Sequence, residues 1–338
     1  MRALVTGAGG FVGRHLCEAL AADEWEVFAA GGPADENVDA RVDVRDRDAV
    51  RDIVERAQPD VAFHLAAQSF VPESLADPHD TYQVNVLGTA NLAEALRRLP
   101  RRHEVHSTSL ARDDKGTSLA RDDKGSSLAR DDRRRLLFIS SAEVYGARDA
   151  SDLPFRETLA PRPANPYAAS KAAAEAILLG EMRALGGDAV IARAFNHIGP
   201  GQSERFAIAG FALGIAKVAA GREKSLSVGN LDAQRDFLDV RDVVQAYIAL
   251  AKHGERGEIY NVCTGRAVSV REMLGELIRI ARVPVEVRSD PDRMRPAEVA
   301  VACGSNAKLA ERTGWAPTRT IVQSLRDIYA DARNRAGL

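Results

Sequence analysis

Tyr167 and Lys171, in the stretch NPYAASK, stand four residues apart. On a helix that spacing puts both on one face, with the ammonium near the phenol oxygen. A cation so placed favours phenolate and draws the tyrosine pKa down from about 10 toward the working range. Such a phenol exchanges a proton with a carbonyl near neutrality. Ser141 lies 26 residues before Tyr167, where a strand-like run ends in Ser140 and Ser141, and its hydroxyl could hold the same carbonyl oxygen. Each piece is bland alone. A tyrosine and a lysine at this spacing are usually just neighbours, and a serine after a strand is usually a turn or a cap. Their weight comes from a turn far upstream.

That turn is TGAGGFVG, Thr6 to Gly13, between a short strand and the first helix. Gly7, Gly10 and Gly13 give the spacing GxxGxxG, with Phe11 and Val12 between the last two. The turn needs a positive φ, the backbone must approach a pyrophosphate closely, and the helix N-terminus then faces that anion. The alternative GxGxxG spacing is not met, because Val12 occupies the place of its last glycine. Near the end of the second strand an acid would take a ribose 2′-hydroxyl and an arginine a 2′-phosphate. Ala30, Gly31 and Gly32 are neither, which leaves NAD against NADP open.

The elements that must position these groups are read from periodicity. Arg2–Thr6, Glu26–Ala30, 61–66, Leu136–Ser140 and Ala189–Ala194 read as strands. Phe11–Ala22, Thr81–Leu99 and Tyr167–Leu185 read as helices. Strand, turn and helix in alternation predict an α/β fold, a Rossmann-like doubly wound parallel sheet with helices on both faces. After Asn196 the rhythm breaks into glycine-punctuated segments, with a helix at Phe206–Ala220 and another from Ile321. A smaller α/β substrate lobe is expected there, interleaved with the first because Val240–Ala251 again has the core-helix pattern. The expected division is 1–195 with 231–262 for the dinucleotide and 196–230 with 263–338 for the smaller lobe.

A chain of 338 residues with 45% apolar and 28% charged side chains buries its core without staples and is neither collagen-like nor disordered. Forty-six basic against forty-eight acidic side chains give a net charge of -2. Nucleic acid and anionic membranes are therefore not expected partners, and any anionic ligand must be held by local groups. Cys17, Cys263 and Cys303 form no CxxC pair, which predicts reduced thiols, no metal site and a cytoplasmic setting. No apolar run approaches the length of a membrane span, and the first residues lack the pattern of a secretion signal.

One segment departs from the rhythm. TSLARDDKG at 108–116 recurs at 117–125, and approximately as SSLARDDRR at 126–134. Each copy has one leucine and one alanine, too little apolar surface to offset ordering entropy, so an exposed insertion is expected. The period suggests calcium-binding nonapeptides, but one glycine at most per copy falls short of their Gly-Gly-x-Gly-x-Asp skeleton.

With TGAGGFVG, HLAA at 64–67, Asn85 in QVNVLGT, SSAEVYG at 140–146 and PYAASK at 166–171 in this order, the sequence resembles the extended short-chain dehydrogenase/reductase family. The resemblance spans essentially the whole chain outside the repeat. It implies that Ser141, Tyr167 and Lys171 form the catalytic set. It also implies that Asp43 and Val44 border the adenine, and that Leu65, Ala66, Ala67, Asn85 and Ser140 join Gly7, Gly10, Phe11, Val12 and Gly13 around NADP or NAD. In that family the helices at Thr81–Leu99 and Tyr167–Leu185 pack into a four-helix homodimer interface.

ARAFNHIGPGQ at 192–202, QRDFLDVRDVVQAY at 234–247, DPDRMRPAE at 290–298 and TGWAP at 313–317 resemble the branch of that family that reduces a GDP-linked 4-keto-6-deoxy sugar. This resemblance implies that Asn196, Arg235, Arg295 and Glu298 contact the nucleotide-sugar; guanidinium forks suit a diphosphate in a globally neutral protein. His197 otherwise reads as a core histidine with its hydrogen bonds met. Glu143, two places after Ser141, keeps a 4,6-dehydratase or an epimerase open, since related dehydratases place there the base that removes the C5 proton, and reductases can carry an acid there too.

Overall fold

The computed structural model describes residues 1–100, 134–291 and 299–338. All of the repeat except Arg134 lies outside these residues, as do Arg295 and Glu298. Strands β1 (Arg2–Thr6), β2 (Glu26–Gly31), β3 (Ala40–Arg41), β4 (Val61–His64), β5 (Arg135–Ser141) and β6 (Asp188–Ala194), with Ile259–Val262 beyond β6, form a seven-stranded sheet. Every neighbouring pair in it is parallel. From β1 the chain runs outward through β2 and β3, then returns to the other side of β1 for β4, β5 and β6. The order therefore reverses between β1 and β4, and ligands of such sheets sit beyond the carboxyl ends of the strands at that point.

Alternation along the strands feeds a core on each face. Ala3 and Val5 of β1, Leu137 of β5, and Val190 and Ala192 of β6 pack with Leu16, Leu20, Val243 and Tyr247 from the helices Phe11–Ala22 and Val240–His253. Leu4, Leu136, Phe138 and Ile191 point the other way, toward Ile53, Leu92, Leu96 and Leu178. This period of two, buried on both faces, is what a doubly wound sheet requires.

A separate core gathers Ile208, Phe211 and Ile215 with Leu226, Leu274, Leu277, Leu325 and Ile328. Strand Gln234–Asp239 serves both bodies, since Phe237 packs into this second core and Leu238 into the first. Among the described residues no helix is long and apolar enough to cross a membrane.

The helix carrying Tyr167 and Lys171 spans Pro166–Leu185 and begins as its sequence dictates. Asn165 caps it by accepting the Ala168 N–H at 2.8 Å, and Pro166 supplies a preset φ at the first position. The run read as one helix over 81–99 is interrupted: Pro78–Tyr82 passes through a π-helical turn at Gln83–Leu87 before Gly88–Arg98 continues.

Candidate active site

The carboxyl ends of β1, β4, β5 and β6 open onto one cavity of about 660 Å³. Gly7, Gly10, Phe11, Val12 and Gly13 form one wall, with Asp43 and Val44 nearby. Leu65, Ala66 and Ala67 follow, and then Ser140, Ser141, Glu143, Tyr167 and Lys171, with Asn196 and His197 at the far side. The sequence scatters these residues over nearly two hundred positions; the switch in strand order brings them together.

Gly7 has φ +74°, and a Cβ there would lie 2.7 Å from the Ala66 backbone nitrogen. A Cβ on Gly13 would lie 2.1 Å from the Gly7 carbonyl oxygen. The turn closes this tightly only with glycine at both places. Gly10 stands at the N-cap of Phe11–Ala22 without a side-chain hydrogen bond, so the first N–H groups of that helix face the cavity end with their partial positive charge.

Ser141 ends β5 and accepts the Glu143 N–H at 3.2 Å. Its hydroxyl and the Tyr167 phenol line the same cavity, close enough for the one to act on the other. Burial pushes that phenol up to about 12, the Ser141 hydroxyl pulls back, and the Glu143 carboxylate adds to the rise. This departs from the expectation that Lys171 lowers it. Burial of the phenol outweighs the lysine, whose Nζ donates to the Ile139 carbonyl at 2.7 Å and lies 4.9 Å from the centre of the Phe138 ring. Burial lowers the lysine to about 7, with the Glu175 carboxylate opposing. Tyr167 is thus a hydroxyl that keeps its proton, and Lys171 the group that titrates near neutrality.

Two expected cofactor neighbours stand differently from their reading. Asn85 lies behind the cavity wall, where its side chain is consumed by three hydrogen bonds: Nδ2 donates to the Gln68 carbonyl and to Ser170 Oγ, both at 2.9 Å, and Oδ1 accepts the Gln68 N–H at 2.8 Å. Those bonds tie Gln68, which lines the cavity, to the helix Pro166–Leu185. Ser140 lines the cavity while its hydroxyl donates to Glu175 Oε1 at 2.5 Å, turning the side chain inward. His64, of the HLAA stretch, is held between Thr6 Oγ1 at 2.7 Å and Thr89 Oγ1 at 3.0 Å, and burial first, then Lys171, lowers it to about 3.

Of the expected sugar contacts, Asn196 is exposed in the main cavity, and Arg235 lines a small adjoining one with Ser141, Glu143 and Asn196. Arg295 and Glu298 fall outside the described residues. His197 is not the satisfied core histidine its context suggested. It lines the cavity, Nε2 is 3.4 Å from Tyr247 Oη, and buried Nδ1 has no hydrogen-bond partner. Burial lowers it to about 4, which keeps the ring neutral. Glu175 and Arg193, a buried ion pair behind the wall, were missed. The available signal was an arginine inside the apolar strand AVIARA and an acid one turn after Lys171.

The family profile described as GDP-mannose 4,6 dehydratase matches residues 4–328. The chain belongs to that family. Among curated relatives of this family member is a GDP-6-deoxy-D-mannose reductase of Pseudomonas aeruginosa, 42% identical over 99% of this chain and 98% of that protein. Among solved structures, RMD from Pseudomonas aeruginosa complexed with NADPH superposes with a TM-score of 0.80 at 39% identity, over 99% of this chain and 100% of that one. A UDP-glucose 4-epimerase of Thermus thermophilus in complex with NAD gives a TM-score of 0.80 at 30% identity, over 98% and 99% of the two chains. The extended short-chain dehydrogenase/reductase resemblance and the doubly wound fold agree with these matches. The glycine turn, with no room for a Cβ at Gly7 or Gly13 and a helix N-terminus open beyond it, fits the pyrophosphate of a dinucleotide.

Proposed function

We propose that this enzyme reduces the C4 ketone of GDP-4-dehydro-6-deoxy-D-mannose to GDP-D-rhamnose, using reduced NADP or NAD. The observation that carries the chemistry is the Ser141–Tyr167 hydroxyl pair in a cavity continuous with the glycine turn. Whole-length similarity to a GDP-6-deoxy-D-mannose reductase supports the substrate. The dinucleotide, when bound, supplies the hydride that the protein itself lacks.

In this reading Gly7, Gly10 and Gly13 hold the pyrophosphate, Asp43 and Val44 border the adenine, and Leu65, Ala66 and Ala67 flank the rest. Ser141 Oγ donates to the ketone oxygen and orients it. Tyr167 Oη, which keeps its proton across the physiological range, gives that proton to the developing alkoxide. Lys171 Nζ, buried one turn along the same helix and held on the Ile139 carbonyl, adds its charge through space, across the low-dielectric site, to the phenolate left behind. Asn196, Arg235, Arg295 and Glu298 hold the nucleotide-sugar.

Glu143 favours one second reading. Its carboxylate lines the cavity close enough to act on the Tyr167 phenol, where a 4,6-dehydratase would use a base. The deciding experiment offers the purified protein the GDP-linked keto sugar with each reduced cofactor and, separately, GDP-mannose with each oxidised cofactor, follows reduced-nicotinamide absorbance and identifies the product sugar. Stoichiometric oxidation with GDP-D-rhamnose as product supports the reductase. Conversion of GDP-mannose with no net change in cofactor overturns it in favour of the dehydratase.

Homodimer formation through the helices 78–98 and 166–185 is supported by Tyr82 and Leu87, 40% and 55% exposed on the first of them. On the second, Ala173 is exposed and Ala169 half-buried, while Ala168 is buried and Ala174 packs against the sheet. Cys17, Cys263 and Cys303 are all free thiols, which supports a cytoplasmic setting.

A further inference from the structure

The choice between the two dinucleotides, open at Ala30–Gly32 in the sequence, turns on a residue beyond them. β2 ends at Gly31, and the chain then curls back on itself: the Asp35 N–H donates to the Gly32 carbonyl at 3.0 Å, and Asp35 Oδ2 accepts the Gly32 N–H at 2.7 Å. A Cβ on Gly9 would meet Asp35 Oδ2 at 2.5 Å, and one on Gly31 would meet it at 2.8 Å. The carboxylate therefore lies against both the glycine turn and the end of β2, and it lines the main cavity. In dinucleotide-binding sheets the adenosine ribose occupies this corner, where a carboxylate accepts from its diol and an arginine accommodates a 2′-phosphate.

We propose that Asp35 makes this enzyme select NADH over NADPH; of the two similar structures, the Pseudomonas aeruginosa one holds NADPH and the Thermus thermophilus one NAD. The inference rests on the dinucleotide reading of the cavity. A 2′-phosphate would bring a second anion against the Asp35 carboxylate, while the free diol gives it two donors. Of the nearby cations one is tied to carboxylates and two rest on backbone carbonyls. Arg45, the arginine of the cavity wall among the described residues, is tied to Asp43 and Asp80, each at 2.6 Å. Arg41 Nε donates to the Asp35 carbonyl at 2.7 Å and Arg14 Nη1 to the Gly9 carbonyl at 2.6 Å, both from exposed side chains. Both guanidinium groups keep further N–H donors for an anion, but the Asp35 carboxylate stays in place whichever of them turns inward.

The test is equilibrium binding rather than turnover: full-length protein is titrated with NADH and with NADPH by calorimetry. NADH should bind tighter by on the order of tenfold at low salt, and the gap should narrow as salt screens the repulsion. Asp35→Asn keeps an oxygen for the Gly32 N–H and removes the charge, so NADH should weaken, NADPH should tighten and the ratio should approach one. Asp35→Ser provides the same readout should the asparagine variant fail to fold. Equal or tighter NADPH binding by the unaltered protein overturns the inference and leaves the reductase reading standing, as does a ratio unmoved in both variants. Binding of neither dinucleotide overturns the cofactor reading itself.

Discussion

The Arg193 guanidinium clasps the Glu175 carboxylate through two hydrogen bonds of 2.7 and 3.0 Å, with both side chains almost sealed from water. The pair joins β6 to the helix that carries Lys171, and Ser140 adds a third hydrogen bond from β5. The guanidinium also lies 4.8 Å from the centre of the Tyr145 ring. The arrangement fixes three elements that converge on the cavity. Glu175→Gln strands a buried arginine charge and should destabilise the fold by roughly 3–5 kcal/mol, read by urea denaturation. A loss well under about 1 kcal/mol would mean that Arg193 finds water or another acceptor, and that the pair is not what aligns these elements.

Tyr167→Phe removes one hydroxyl from the cavity wall and no part of the glycine turn. Dinucleotide affinity should stay within about twofold while turnover falls at least a hundredfold, the usual range for a lost general acid. Calorimetry and single-turnover reduction measure the two halves separately. Retained turnover would falsify the role given to this phenol.

Lys171 dictates the pH dependence. Its native pKa of about 7 lies below that of the unfolded chain, so between those values the unfolded state binds more protons and stability rises with pH. Below pH 7 burial of the ammonium is a full penalty; above it the penalty is progressively relieved. Lys171→Met should flatten the rise of Tm with pH above neutrality. In turnover the sign is opposite, because the charged amine is the form that stabilises phenolate: the rate should fall as pH rises through about 7. Since Tyr167 stays protonated to about 12, it contributes no alkaline limb in this range. A rate independent of pH between 6 and 9 (about one unit below and two above that midpoint) removes Lys171 from the mechanism.

What the sequence revealed and what it hid divide along physical lines. Phe11–Ala22 carries its apolar stripe and its glycine start on its face, and the structure forms the helix over those same residues. Pro166–Leu185 has its cap and its proline in the chain, and only the first residue shifts. The π-helical turn at Gln83–Leu87 leaves no mark in composition, so the run around it reads as one plain helix. Asn85 sits in that turn, and its inward rotation onto Gln68 and Ser170 follows from partners 17 and 85 residues away. Asp35 was hidden for a similar reason: it returns to Gly9 by a hairpin-tight loop rather than from the strand end where such acids are sought. The sign of the Tyr167 shift was also illegible, because spacing predicts that a lysine is near but says nothing about which oxygen its ammonium faces or how far burial outweighs it.

Association has its own signature. Tyr82 and Leu87 leave large apolar surfaces to solvent on the helical run 78–98, next to a helix whose outer face is small. Leu87→Glu puts a charge at the centre of the expected contact and should convert dimers to monomers, measured by sedimentation velocity, with little change in Tm of the separated chain. A wild-type monomer at micromolar concentration, or a dimer that survives both Leu87→Glu and Tyr82→Glu, rules out this face.

The sharpest test of the phosphate cradle is a single methyl group. A Cβ on Gly13 would stand 2.1 Å from the Gly7 carbonyl oxygen and 2.7 Å from the Ala8 α-carbon, both backbone atoms that cannot rotate away as a side-chain tip could. Gly13→Ala must therefore lift the start of the helix off the turn, which moves the N–H groups away from the anion they face. Gly180→Ala is the matched control, because nothing lies within 4 Å of a Cβ there. The expected outcome is a loss of dinucleotide affinity of at least about a hundredfold in Gly13→Ala, equal for NADH and NADPH because both carry the pyrophosphate, and no loss in Gly180→Ala. A selective loss of one dinucleotide would place Gly13 at the ribose instead, and unchanged affinity for both would mean that the anion does not sit at this helix end.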